Sequence, residues 1–207
     1  MNEKFWALPK EKQNRIINSA LEVFARNEYK KAPMSEIAKV ADISKSLLFH
    51  YFHNKKELYL FLYDYALSIQ MTKLSEADVM EERDFMELFR KSVHIKCQVA
   101  REYAYMNQFM VRAYFEDEPE VAEALGLKTN GLIDAGSERL LSMIDKSKFK
   151  EESDVAMLLK ISVWMGEGYM LHQMREKNMD IDQWERDFME IIAFWKKNHY
   201  RAKEGTQ

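Results

Sequence analysis

One cysteine, Cys97, is all that the 207-residue chain holds. That excludes an internal disulfide and a zinc site built from cysteine clusters. Chain breakers are scarce: 6 glycines and 3 prolines, where average usage would give roughly 14 and 10. Too few remain for a many-stranded β fold with a turn every 8–12 residues. No run nears the ~20 apolar residues of a membrane span. The opening residues, Met1 to Trp6, lack the apolar core of a secretion signal. The expectation is a soluble cytoplasmic protein with no membrane contact. Enzymatic motifs are missing as well: no Gly-rich phosphate loop, no nucleophile elbow, no HExxH and no metal-spaced Cys/His set. The sequence therefore predicts no enzyme, no cofactor and no metal.

What is present is apolar and helix-forming. Hydrophobic residues make up 47%, charged residues 31% and aromatics 13%, which argues against disorder. Residues 10–27 carry Ile16, Ile17, Ala20, Leu21, Phe24 and Ala25 on one helical stripe. Asn27 is expected to stop that helix in the left-handed region. Pro33 suits the first turn of a short helix over 34–41. Asp42-Ile43 reads as a tight turn, and Ser44 as the N-cap of a third helix, 45–51. Asn54 and Glu57 have capping-box spacing and open a fourth helix, 55–75. Further helices are expected over 84–101, 102–115, 119–145, 154–177 and 183–201. Lys146–Glu152 reads as a polar loop, Asp182 with Glu185 as the last cap, and Lys203–Gln207 as a frayed end. Charge divides unevenly along the chain. Residues 1–56 hold 11 Lys/Arg against 6 Asp/Glu, and residues 57–207 hold 20 against 28. A basic head on an acidic body suggests that only the head meets a polyanion.

Two short helices joined by a tight turn form a helix-turn-helix, whose second helix enters the major groove of DNA. By that logic Ser44, Lys45, Ser46, Leu47, Phe49, His50 and Tyr51 are candidates for contact. Leu48 and Phe52, one turn apart, should anchor the helix to the core. Lys45 sits in a first turn, where a lysine opposes the helix dipole and a phosphate would offset that. His50 and His53 have the spacing of a metal pair, but nothing nearby offers a third ligand.

The stretch from Ile16 to Tyr65 resembles the DNA-binding domain of TetR-type bacterial transcriptional repressors. The strongest part runs Ile37-Ala38-Lys39-Val40-Ala41-Asp42-Ile43-Ser44-Lys45 and on to Leu58. The resemblance implies that Ser44 to Phe49 face bases and backbone, and that Tyr51 and Lys55 hold phosphates. Ser35 is a weaker contact candidate, because Ala32-Pro33 stands where the family has a capping Thr or Ser. Asp42 stands where the family often has glycine, and Glu28 likewise. The implied architecture is all-α: an N-terminal three-helix helix-turn-helix DNA-binding domain (1–56) and a C-terminal helical effector-binding and dimerisation domain (57–207). The implied partners are a double-stranded DNA operator, a small-molecule effector and a second copy of the chain.

The body offers candidates for the effector site: Phe89, Val93, Cys97, Met106, Phe109, Met110, Trp164 and Glu167. Methionine and aromatic side chains can line adaptable apolar pockets, although at helical spacing they are more often core. His94, Cys97, Glu167 and His172 lie in apolar stretches. Gly166 and Gly168 flank Glu167, suggesting close helix approach or room for a ligand. A dimer surface is expected from Ile161, Met165 and Gly168 on one helix and Trp184, Phe188, Ile191 and Trp195 on the next. The leading expectation is a repressor that binds a pseudo-palindromic operator as a homodimer and is released by a small apolar or aromatic effector. The alternatives are a DNA-binding helical regulator without an effector and a redox sensor based on Cys97.

Overall fold

A computed structural model describes residues 3–175 and 180–202; for Gln173 it describes the backbone alone. The described residues form ten α-helices and no β-strand, with a single isolated bridge between Phe149 and Tyr200. In chain order the helices are α1 (Glu3–Trp6), α2 (Lys10–Arg26), α3 (Met34–Val40), α4 (Lys45–Tyr51), α5 (Lys55–Glu76), α6 (Phe85–Glu102), α7 (Ala104–Tyr114), α8 (Pro119–Met143), α9 (Asp154–Arg175) and α10 (Ile181–His199). The expected all-α class is thus observed. No helix among the described residues is long and apolar enough to cross a membrane. The expected end of α9 near Lys177 and the expected fraying of 203–207 lie outside the described residues.

The chain packs as two compact units: residues 1–70 with 102–130, and residues 71–101 with 131–207. The expected functional boundary at 56/57 falls inside the first unit, because α5 runs through it without a break.

In the first unit the apolar stripe of α2 is fully consumed. Ile16, Ala20 and Phe24 are each 0% exposed, and α7 supplies the largest share of what covers them. Phe109 of α7 meets Phe24 and Tyr59, with ring centroids 6.2 and 4.9 Å away. Met106 is buried in the same unit, and Met110 is half-buried. An acidic turn ties in the segment after α2. Glu116 accepts the Tyr29 N–H at 3.1 Å, and Glu118 lies 3.7 Å from Lys30 Nζ.

The second unit is built on α6 and α10. Phe85, Leu88, Ile144, Phe149, Val155, Leu158, Ile192 and Trp195 form its main core. Beside it, Val93, Cys97 and Phe188 form a smaller cluster. Charged pairs lace the two helices together. Arg101 reaches Asp182 at 2.6 Å and Glu185 at 2.5 Å, and His94 Nδ1 lies 2.6 Å from Glu185.

Several local expectations need correction. Asn27 ends α2 in an extended conformation (φ −126°, ψ 146°), and its side-chain amide donates to the Val23 carbonyl at 2.9 Å, so no left-handed stop is needed. Pro33 precedes α3 as its cap instead of entering the first turn. Asp180, not Asp182, caps α10 by accepting the Gln183 N–H at 2.8 Å; Asp182 and Glu185 are spent on Arg101. The segment 146–152 is not simply a polar loop, since Phe149 within it is completely buried. Helix α1 was not foreseen: its four residues are too short for any period, and only Phe5, 1% exposed, betrays its packing.

Candidate nucleic-acid interface

The turn before α4 is made by Asp42, whose φ of 53° lies in the left-handed region. Aspartate tolerates that conformation better than most residues. Ser44 then caps α4: its hydroxyl oxygen accepts the Leu47 N–H at 3.1 Å. This satisfies one of the donors that every helix start leaves open.

The helix so placed has two sharply different faces. Leu48 (0% exposed) and Phe52 (3%) anchor it, as expected from their spacing. Ser44, Lys45, Ser46, Phe49 and His50 are exposed, and Leu47 is half-buried. The Lys45 ammonium sits 5.8 Å from the Phe49 ring centroid, a cation–π distance that holds both side chains on the outer face. Ser35, in the first turn of α3, is exposed as well.

Two of the family-implied phosphate holders are placed differently from these. Tyr51 is only 5% exposed, with its ring edge-on to Phe5 at 6.0 Å. The Lys55 ammonium turns onto the chain itself. It donates to the carbonyls of Tyr29 (2.8 Å) and Lys30 (3.4 Å) and lies 4.5 Å from the Tyr29 ring. Asn54 caps α5 by accepting the Glu57 N–H at 2.8 Å. The return arm of the box goes to His53, whose N–H and Nδ1 lie 3.3 and 2.8 Å from Glu57 Oε2.

The effector-site candidates separate between the two units. Met106, Phe109 and Met110 belong to the first. In the second, Phe89, Val93 and Cys97 gather with Met165, Tyr169, Trp184 and Phe188. The Tyr169 and Trp184 rings stack at 4.6 Å. The indole N–H of Trp184 is buried with no hydrogen-bond acceptor among the described residues. Glu167 is half-buried, whereas Trp164 is 56% exposed under the Lys160 ammonium. His94 and His172 are exposed, so the apolar stretches around them misled. A Cβ at Gly166 or Gly168 would meet nothing within 4 Å, so close packing inside the chain does not require these glycines. Burial, then the charge of Glu185, pushes the Cys97 thiol up to about 12. A buried, protonated thiol is inert, which weighs against a Cys97 redox sensor.

The expected dimer residues are also divided. Phe188 and Trp195 are each 6% exposed and fill the cores of their own unit. Ile161, Met165, Trp184 and Ile191 are half-buried, and Gly168 is exposed. Trp164, on the same expected stripe of α9, is 56% exposed, and Met157 (56%), Leu171 (40%) and Met174 (44%) on α9 and Phe194 (63%) on α10 are exposed as well.

Residues 16–61 match the model of the family described as "Bacterial regulatory proteins, tetR family". The HTH-type transcriptional regulator RutR of Escherichia coli (strain K12) is 24% identical over 139 residues, which are 66% of this chain and 64% of RutR. The match thus spans a little under two thirds of that relative. A TetR family transcriptional regulator from Chloroflexus aurantiacus J-10-FL has a similar fold, with a TM-score of 0.69 at 19% identity over 97% of this chain and 99% of the other. The fatty acid degradation regulator FadR from Bacillus halodurans also has a TM-score of 0.69, at 18% identity over 89% and 95% of the two chains. The left-handed turn, the Ser44-capped helix after it and the matched segment agree, so residues 16–61 carry the helix-turn-helix segment of the tetR family of bacterial regulatory proteins.

Proposed function

We propose that the chain is a transcriptional repressor that binds a pseudo-palindromic operator as a homodimer and leaves it when a small apolar or aromatic effector binds. The observation that carries this reading is the division of α4. Leu48 and Phe52 fix the helix, while Ser44, Lys45, Ser46, Phe49 and His50 are exposed to solvent. Hydroxyl, imidazole and ammonium groups on a helix of this kind can meet phosphates and base edges. Lys45 in the first turn supplies the positive charge. In this reading residues 1–56 read DNA, with Ser35 and Leu47 at the margin and Tyr51 and Lys55 as supports. Residues 57–207 sense and pair.

Pairing is supported by the stripe Met157, Trp164, Gly168 and Leu171, which repeats at intervals of three, four or seven along α9. Gly168 has open space where a Cβ would stand, so a second copy could approach closely there. The effector reading is supported by the cluster of Phe89, Val93, Cys97, Tyr169, Trp184 and Phe188, with the buried Trp184 N–H as an unused donor. Release requires that the effector bind better to the form with low DNA affinity, at roughly 1–3 kcal/mol of coupling.

The test is fluorescence anisotropy with duplexes selected by the protein from a random pool, titrated at several salt concentrations. Specific binding with a steep salt dependence is expected. Affinity that is flat with salt, or equal for selected and scrambled duplexes, refutes the reading.

A further inference from the structure

The first unit holds a cavity of about 460 Å³ that the reading above does not use. One wall is a single face of α5, where Glu57, Phe61, Asp64 and Tyr65 recur at helical spacing. The other is made by Phe5 and Trp6 of α1 and by Phe52, the residue that closes α4. Phe61 is the hub: Phe52, Phe5, Trp6 and Tyr65 surround it with ring centroids 5.0, 5.5, 5.7 and 6.4 Å away. The size suits a small molecule. The lining residues are mostly apolar, and their only charged groups are the two carboxylates; no lysine or arginine is among them. Each carboxylate has one oxygen engaged by a neighbour that does not line the cavity. His53 Nδ1 lies 2.8 Å from Glu57 Oε2, and Lys128 Nζ lies 2.7 Å from Asp64 Oδ1. The Trp6 ring already takes a cation in this chain, since Lys10 Nζ, which does not line the cavity, stands 5.6 Å from its centroid. Rings present negative faces to a cation, and carboxylates in the lining attract the same charge.

We propose that this cavity is a binding site for an organic cation that carries an aromatic ring, such as an aryl quaternary ammonium. The occupant would lie against Phe52, at the end of the helix assigned to DNA reading. Binding itself does not depend on that assignment and is measured without DNA.

The probe is 4-(hydroxymethyl)-N,N,N-trimethylanilinium, compared at fixed ionic strength with its neutral isostere 4-tert-butylbenzyl alcohol and with 4-tert-butylbenzoate. The full chain is labelled with 5-fluorotryptophan and followed by fluorine NMR. The chain has four tryptophans, and the Trp6 signal is identified by its loss in Trp6→Phe. The expected result is a saturable shift of the Trp6 signal with the cation, a dissociation constant at least tenfold lower than for the alcohol, and no saturable shift with the benzoate. The double variant Glu57→Gln, Asp64→Asn should lose that tenfold preference while still binding the alcohol. Equal binding of cation and alcohol by the native chain overturns the proposal. So does an unmoved Trp6 signal at 10 mM cation, or a preference that survives in a folded double variant. If the double variant fails to fold, the comparison on the native chain decides.

Discussion

Asp42 carries the whole turn between α3 and α4 at a φ of 53°. The left-handed region costs an ordinary L-residue roughly 1–2 kcal/mol, and least for Asn, Asp and Gly. Asp42→Gly should therefore leave the urea midpoint unchanged or raise it slightly, whereas Asp42→Val should cost about 1–2 kcal/mol. Equal loss in both variants would mean that the aspartate side chain, not the backbone, matters there. Asp84 makes a second residue-scale case. Burial raises its pKa, but the Lys148 ammonium at 2.9 Å, the Glu87 N–H at 3.1 Å and the Tyr200 hydroxyl at 2.8 Å outweigh burial and hold it below the usual carboxylate range. A depressed folded pKa stabilises the fold at pH values above the unfolded one, near 3.8. That stability fades as the pH falls below about 4. Asp84→Asn should thus cost roughly 2 kcal/mol at pH 7 in urea denaturation. The gap to the native chain should narrow between pH 4 and pH 2. A gap that stays constant with pH would remove the carboxylate charge from the account.

Helix α4 puts adjacent residues to opposite uses. Leu48 is 0% exposed and Phe49 is 36% exposed. Leu48→Ala should lower stability by about 2–5 kcal/mol through the cavity it leaves. Phe49→Ala should move stability by less than about 0.5 kcal/mol yet weaken duplex binding several-fold in anisotropy. A Phe49 variant that binds the duplex as well as the native chain would take that residue out of the interface. This element was legible in the sequence because its signals are local: a serine cap, a seven-residue helix and two anchors four apart. Helix α10 was legible as a helix but not in its use. Its stripe of Trp184, Phe188, Ile191, Ile192 and Trp195 shows an apolar face, and periodicity alone cannot say whether that face meets its own chain or a partner. In the structure Phe188, Ile192 and Trp195 meet α6 and its neighbours, while the exposed Phe194 lies outside that stripe. The effector candidates show the same limit of periodicity. Met106 and Cys97 read alike as apolar helical positions, and only the fold assigns them to different units. The cavity beside α1 left no readable trace, since it needs a four-residue helix brought against α5.

At the scale of the whole molecule, the proposed pairing makes the exposed stripe of α9 separable from the core of α10. Trp164 is 56% exposed, so Trp164→Glu removes little from the folded chain, while two such charges facing each other across a symmetric interface would repel. The native chain should run as a dimer in light scattering, and Trp164→Glu as a folded monomer with an unchanged far-UV spectrum. Trp195→Ala is the contrasting case: at 6% exposure it should lose about 3–5 kcal/mol of stability first, and pairing only as a consequence. The proposed pairing would also set DNA affinity, because joining two heads makes the second contact intramolecular and is worth roughly 10²–10⁴ in avidity. The monomeric variant should accordingly bind a two-half-site duplex no better than a single half-site. The salt slope should fall with it, since each phosphate neutralised contributes about 0.9 to that slope. Lys45→Ala in the dimer should lower the slope by about 2, one contact from each copy. A Trp164→Glu chain that remains dimeric, or a monomer that keeps the full slope, would show that the reading heads are not coupled through α9.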